Sequence, residues 1–98
     1  MTKSKSFSEY ILKDLKTDDD IKQWINIGFE EFLKDNDLNA FVKALEYAVR
    51  AKDSISGISK KTGISRSNLY SIFNGEQQPQ LSTALKIIKE LGYTVQVA

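Results

Sequence analysis

The stretch ISGISKKTGISRSNLYSIFNG, residues 55–75, has the spacing of two short helices hinged by a tight turn. Gly63 stands where a helix-turn-helix needs a positive φ, which glycine adopts without a Cβ penalty. Ile58, Thr62, Ile64, Leu69 and Ile72 fall at the positions that face inward if the two helices pack at a steep angle. Arg66, Ser67, Tyr70, Ser71 and Asn74 then point outward. They are short polar groups, one guanidinium and one phenol, suited to base edges and phosphate oxygens.

Outward from the motif, Ser65 is the expected cap of the second helix and Gly75 its stop. On the other side, Asp53 and Ser54 end one element and begin the next. Before them Leu38, Phe41, Val42, Leu45, Ala48 and Val49 trace an amphipathic helix to about Lys52, capped by Asp37. Earlier still, Ile21, Trp24, Ile25, Gly28, Phe29, Phe32 and Leu33 form one apolar stripe. Gly28 costs about 1 kcal/mol of helix propensity relative to alanine. On that stripe it predicts a close neighbouring helix. Thr17 and Asp20 are spaced as capping partners, and Asp18 and Asp19 complement the helix dipole. The aspartate run lacks the spacing of an EF-hand, so capping is expected of it and no metal site.

Nearer the N-terminus, Ser6 and Glu9 have capping-box spacing, and Phe7, Tyr10, Ile11 and Leu15 recur at helical intervals. So many large apolar groups near a terminus either fold back on the core or wait for a partner protein. Residues 1–16 therefore read as an arm or short amphipathic segment, and 17–98 as the helical domain.

Beyond the motif, EQQPQ at 76–80 is a loop whose proline forbids continuation of the preceding helix. Leu81, Ala84, Leu85, Ile88 and Leu91 give a final helix closed by Gly92. Residues 93–97, YTVQV, alternate strictly, as a strand with one apolar face does. An isolated strand cannot satisfy its own backbone. Tyr93, Val95 and Val97 are thus expected to pair with the same strand of a second subunit about a two-fold axis, the alternative being a disordered tail. The expected fold is all-α, with five helices and a short C-terminal β-strand that pairs across a homodimer.

Composition narrows the function. Ninety-eight residues make one domain with a modest core. The chain has no cysteine and no histidine, which removes thiolate sites, disulfides and the commonest general base. Neither an enzyme nor a cofactor is expected. No apolar run reaches the length of a membrane span, and 1–16 lacks the pattern of a signal peptide, so a cytoplasmic protein is expected. The net charge is only +1, yet residues 18–53 hold nine acids against five bases, while 54–98 hold five bases against two acids. The basic third coincides with the motif, and the acidic middle would be repelled by phosphate.

A helix-turn-helix lays its second helix in the major groove with its N-terminal residues on base edges. Ser65, Arg66, Ser67 and Asn68 occupy that leading end. Arg66 is the candidate for a bidentate contact to guanine, and Asn68 for adenine or a phosphate. Tyr70, Ser71 and Asn74 follow along the exposed face. Lys60, Lys61, Gln77 and Gln78 flank it and would position the domain on the DNA backbone. A dimer presents two such helices about 34 Å apart, which predicts a palindromic operator.

The segment DDDIKQWINIGFEEFLKDNDLNAFVKALEYAVRAK, and above all TGISRSNLYSIFNGEQQPQLSTALKIIKELG, resembles the HigA-like addiction-module antidote family, a branch of the Xre-type helix-turn-helix proteins. The resemblance runs from about Tyr10 to near the C-terminus. It implies a lambda-repressor-like domain with its recognition helix at 65–73. It also implies an antitoxin that neutralises a RelE/HigB-type ribonuclease toxin and represses the shared operon as a dimer. The family's helix-packing alanine is Ser59 here. The toxin would then be held before and around the first long helix, by Phe7, Tyr10, Ile11, Leu15, Ile21 and Trp24. The alternative is a stand-alone phage-type repressor in which Phe7 to Leu15 completes the core.

Overall fold

The computed structural model describes residues 14–95, and among them five helices and no strand. These are α1 (Asp18–Asp35), α2 (Leu38–Lys52), α3 (Ile55–Thr62), α4 (Arg66–Phe73) and α5 (Leu81–Leu91).

The first four starts are set by a side chain that satisfies an otherwise orphaned amide, whereas α5 begins at Gln80 without a side-chain cap. Thr17 Oγ1 accepts from the Asp20 N–H at 3.0 Å while the Asp20 carboxylate accepts from the Thr17 N–H at 3.1 Å, a reciprocal capping box. Asp37 caps α2 through the Ala40 N–H at 3.1 Å, and Ser54 caps α3 through the Gly57 N–H at 2.9 Å. The three consecutive aspartates have separate tasks: Asp20 caps, Asp19 accepts from Gln23, and Asp18 accepts from Lys52 and Tyr93.

α1 packs chiefly on α2, and α2 in turn touches α3, α4 and α5, with α5 also covering α3. Phe29, Phe32 and Phe41 cluster at that first contact, their ring centroids 5.6–6.1 Å apart. Gly28 permits the close approach, since a Cβ there would lie 3.2 Å from Phe41 Cδ1 and 3.5 Å from Ala44 Cβ. Trp24 adds a polar tie, its indole N–H donating to the Ala44 carbonyl at 2.8 Å.

The buried stripes follow the expected ones in α1 and α2, with Trp24, Gly28 and Phe32 partly covered and the largest departures at the junction of the two helices. Leu33 is 54% exposed, near the C-terminal end of α1, and Leu38 is only partly buried. In α5 the rotation differs. Ala84, Ile87, Ile88 and Leu91 are buried, whereas Leu81 and Leu85 are 38% and 39% exposed. The helix is apolar over so wide an arc that periodicity fixed its existence but not which edge turns inward; packing on α2 and α3 decides that.

The expected C-terminal strand is corrected by the structure. Tyr93, Thr94 and Val95 are irregular, and Val97 lies outside the described residues. The Tyr93 N–H turns back onto the Ile88 carbonyl at 3.1 Å, part of the cap around Gly92, and Tyr93 and Val95 pack against the core. Tyr93 and Val95 are occupied within the chain, so residues 93–95, the described part of this segment, form no strand.

Candidate nucleic-acid interface

α3 and α4 are eight residues each and are joined by a turn that begins at Gly63, φ 79°. The Gly63 N–H bonds the Ser59 carbonyl at 2.9 Å, and the Ser59 hydroxyl donates to the Ile64 carbonyl at 2.6 Å. Ser59 thus uses its oxygen to brace the turn, which accounts for a hydroxyl at a helix-packing position. Thr62 is buried and doubly bonded, donating to the Ile58 carbonyl and accepting from the Ile64 N–H. Ile58, Leu69 and Ile72 are buried and Ile64 is partly so.

Ser65 caps α4 through the Asn68 N–H at 3.1 Å. With Leu69, Ile72 and Phe73 turned into the core, the helical period puts Ser67, Ser71 and Asn74 at the front of α4. Arg66 and Tyr70 share one flank and Asn68 lies on the other. All of these are exposed except Ser71, which is half-buried. The sequence-derived surface is therefore brought together on one helix, with two flanks of different chemistry.

On the Arg66 side a cleft of about 310 Å³ is lined by Arg50, Asp53, Ser54, Ile55, Ser56 and Tyr70. Arg66 Nη1 reaches Ser56 Oγ at 3.4 Å across its edge. Asp53 does not leave this cleft acidic, because Lys61 Nζ lies 2.7 Å from its carboxylate and the Ser54 N–H 2.8 Å from it. The Lys61 hydrogen bond holds the Asp53 carboxyl below its ordinary value, against the opposing effect of partial burial. Lys61 is in that way engaged within the chain, while Lys60 is exposed.

On the Asn68 side a second cleft, of about 240 Å³, is lined by Ile64, Asn68, Ile72, Gln77, Gln78, Gln80 and Thr83. The Ser71 carbonyl fixes its outer wall by accepting from the Glu76 and Gln77 N–H groups at 2.9 and 3.2 Å. Pro79, in the loop that follows, is buried.

Arg50, Ser54 and Ser56 had no place in the reading of the motif, nor did Gln80 and Thr83. Arg50 sits on the helix before the motif, and only the fold brings it beside Tyr70. Of the residues expected to meet a protein partner, Leu15 and Ile21 are buried in the core and Trp24 is half-buried. Phe7, Tyr10 and Ile11 lie outside the described residues.

Among the described residues no group of three or more acidic side chains could hold a metal ion, and no helix is long and apolar enough to cross a membrane.

A family model described as "Probable addiction module antidote protein" matches residues 5–98. An uncharacterized protein of Haemophilus influenzae (strain Rd) is 29% identical over 87 residues, spanning 89% of this chain and 84% of the relative. No solved structure matches the chain.

Proposed function

The chain belongs to the probable addiction module antidote family, and from that membership we propose that it neutralises a RelE/HigB-type ribonuclease toxin and represses their shared operon in the cytoplasm. The reading is one of binding, not catalysis. α3 and α4 act as a helix-turn-helix, and α4 enters the major groove with Ser67, Ser71 and Asn74 leading and Arg66 on a guanine edge. The observation that carries the DNA half is the exposure of this polar face on a helix whose opposite side is buried on α2 and α3.

For the toxin half, the solvent side of α1 carries Asp19, Glu30, Glu31 and Lys34 around Ile27, which is 57% exposed; Lys34 pairs with Glu31 at 3.7 Å, leaving a net acidic face. An acidic surface with an apolar centre suits a basic, RNA-binding partner. Two recognition helices about 34 Å apart require a second copy. We place that copy on the edge of α5 where Leu81 and Leu85 are 38% and 39% exposed, not on a terminal strand.

Burial of Leu15 favours one element of the other reading, a stand-alone repressor whose N-terminal segment completes the core. Co-expression with the product of the adjacent reading frame separates the two. A stable complex that relieves toxicity is the expected result; a neighbour that is harmless alone and elutes apart from this chain overturns the antitoxin assignment. Gel-shift assays on the upstream promoter test the DNA half independently.

A further inference from the structure

The two flanks of α4 differ in how their polar groups are employed. The cleft on the Asn68 side is lined by the polar residues Asn68, Gln77, Gln78, Gln80 and Thr83, and by no charged residue. None of the five side chains has a hydrogen-bond partner among the described residues. Two amides of α1 are bonded within the chain, Gln23 donating to Asp19 at 3.0 Å and Asn26 to the Lys22 carbonyl at 3.1 Å. Behind the free amides, Ile64 and Ile72 contribute apolar surface.

This combination has a specific chemical complement. A primary amide presents an N–H donor beside a C=O acceptor, which matches the N7 acceptor and N6 donor of adenine in the major groove. The thymine methyl of the same base pair calls for an apolar neighbour. A phosphate seat would call for cations, and these stand on the opposite flank, Arg66 beside Ser56 and Arg50 paired with Glu46 at 2.9 Å.

We infer that the Asn68–Gln77–Gln78 cleft is a base-reading subsite for an A·T pair next to the bases under α4. Gln77 and Gln78 then carry sequence information and do not merely hold the DNA backbone. The inference rests on the proposed docking of α4 in the major groove. Asn68 belongs both to the leading end of that helix and to the cleft, so the subsite is continuous with it.

The test begins with selection of sites from a random duplex library by the full chain. The expected consensus contains an A·T pair whose preference falls in a Gln77→Ala, Gln78→Ala double variant; both positions are exposed, so the fold is retained. In the selected duplex, 7-deazaadenine removes N7 and uracil removes the methyl group. The first is expected to weaken wild-type binding by about 5-fold or more, the lower end of a bidentate base contact, and to have no further effect on the double variant; the second is expected to weaken both proteins, because Ile64 and Ile72 remain in the variant. Sequence-specific binding with an unchanged consensus in the double variant, or an equal loss on every sequence, overturns this subsite and leaves the role of α4 standing. Failure to enrich any duplex overturns the DNA reading itself and the subsite with it.

Discussion

Tyr93 donates its phenolic hydrogen to Asp18 Oδ1 at 2.9 Å, and Lys52 Nζ lies 2.6 Å from the same oxygen. The start of α1, the end of α2 and the residue after Gly92 therefore meet at one carboxylate. The Lys52 ammonium also sits 5.5 Å from the Tyr93 ring centroid. Burial, and then the hydrogen bond to Asp18, raise the phenol above its ordinary 10.0, while Asp18 raises Lys52 above 10.5.

Both groups hold their proton more tightly in the folded chain than in the unfolded one. Their contribution is therefore complete below the ordinary values and is lost as pH rises through the raised ones. Tyr93→Phe removes the phenol from this linkage. Denaturation midpoints followed upward from pH 10.0 are expected to fall more gently in the variant than in the wild type. Parallel decline of the two proteins would show that Tyr93 does not govern this limb.

The acid limb runs the other way. Lys61 lowers the Asp53 carboxyl, Lys52 lowers Asp18, and the Thr17 N–H lowers Asp20. Each contributes fully above the ordinary 3.8 and loses that contribution as pH falls through the lowered value. Asp53→Asn should cost at most about 1 kcal/mol at neutral pH, because the Lys61 pair is half-exposed. The gap to wild type, measured by urea denaturation, should close below pH 3.8. A gap that persists in acid would assign the loss to packing.

Gly28→Val tests the contact that fixes α1 on α2. Phe41 is 2% exposed and lies against the Phe29 and Phe32 rings, so it has little room to withdraw from an added side chain. Overpacking is expected to cost about 1–3 kcal/mol, read from chemical denaturation. Gly28→Ala should be nearly neutral, its gain in helix propensity of about 1 kcal/mol offset by the 3.2 Å approach to Phe41. A valine variant as stable as the wild type would mean that the two helices can separate without loss.

Local chemistry made much of this legible. Thr17, Asp37 and Ser65 are expected caps because a short oxygen before an apolar period has few other uses, and all three cap in the structure, as does Ser54 at the element boundary. Gly28 was readable because a small residue on an apolar stripe implies a close neighbour. What failed depended on tertiary context. Alternation in residues 93–97 reports a face, not a partner, and Tyr93 found its partner in Asp18, at the opposite end of the described chain. Leu85 and Ile87 are equally apolar, and only packing against α3 distinguishes them. Arg50 and Gln80 joined the clefts through folding, since neither lies within the motif whose spacing drew attention.

Arg66 is the residue on which the DNA reading turns. Its guanidinium is exposed, flanks the front of α4 and is steadied by Ser56 Oγ at 3.4 Å, a contact that leaves other N–H donors free. Arg66→Ala is expected to cost about 1–3 kcal/mol of operator affinity and to relax the preference at one base position. Ser56→Ala leaves the guanidinium in place but removes its support, so its loss should be smaller and fall on the same base. Quantitative footprinting on operators that vary at each position distinguishes the two effects. A uniform loss across all positions in Arg66→Ala would make Arg66 a phosphate contact, and an unchanged footprint would remove it from the interface.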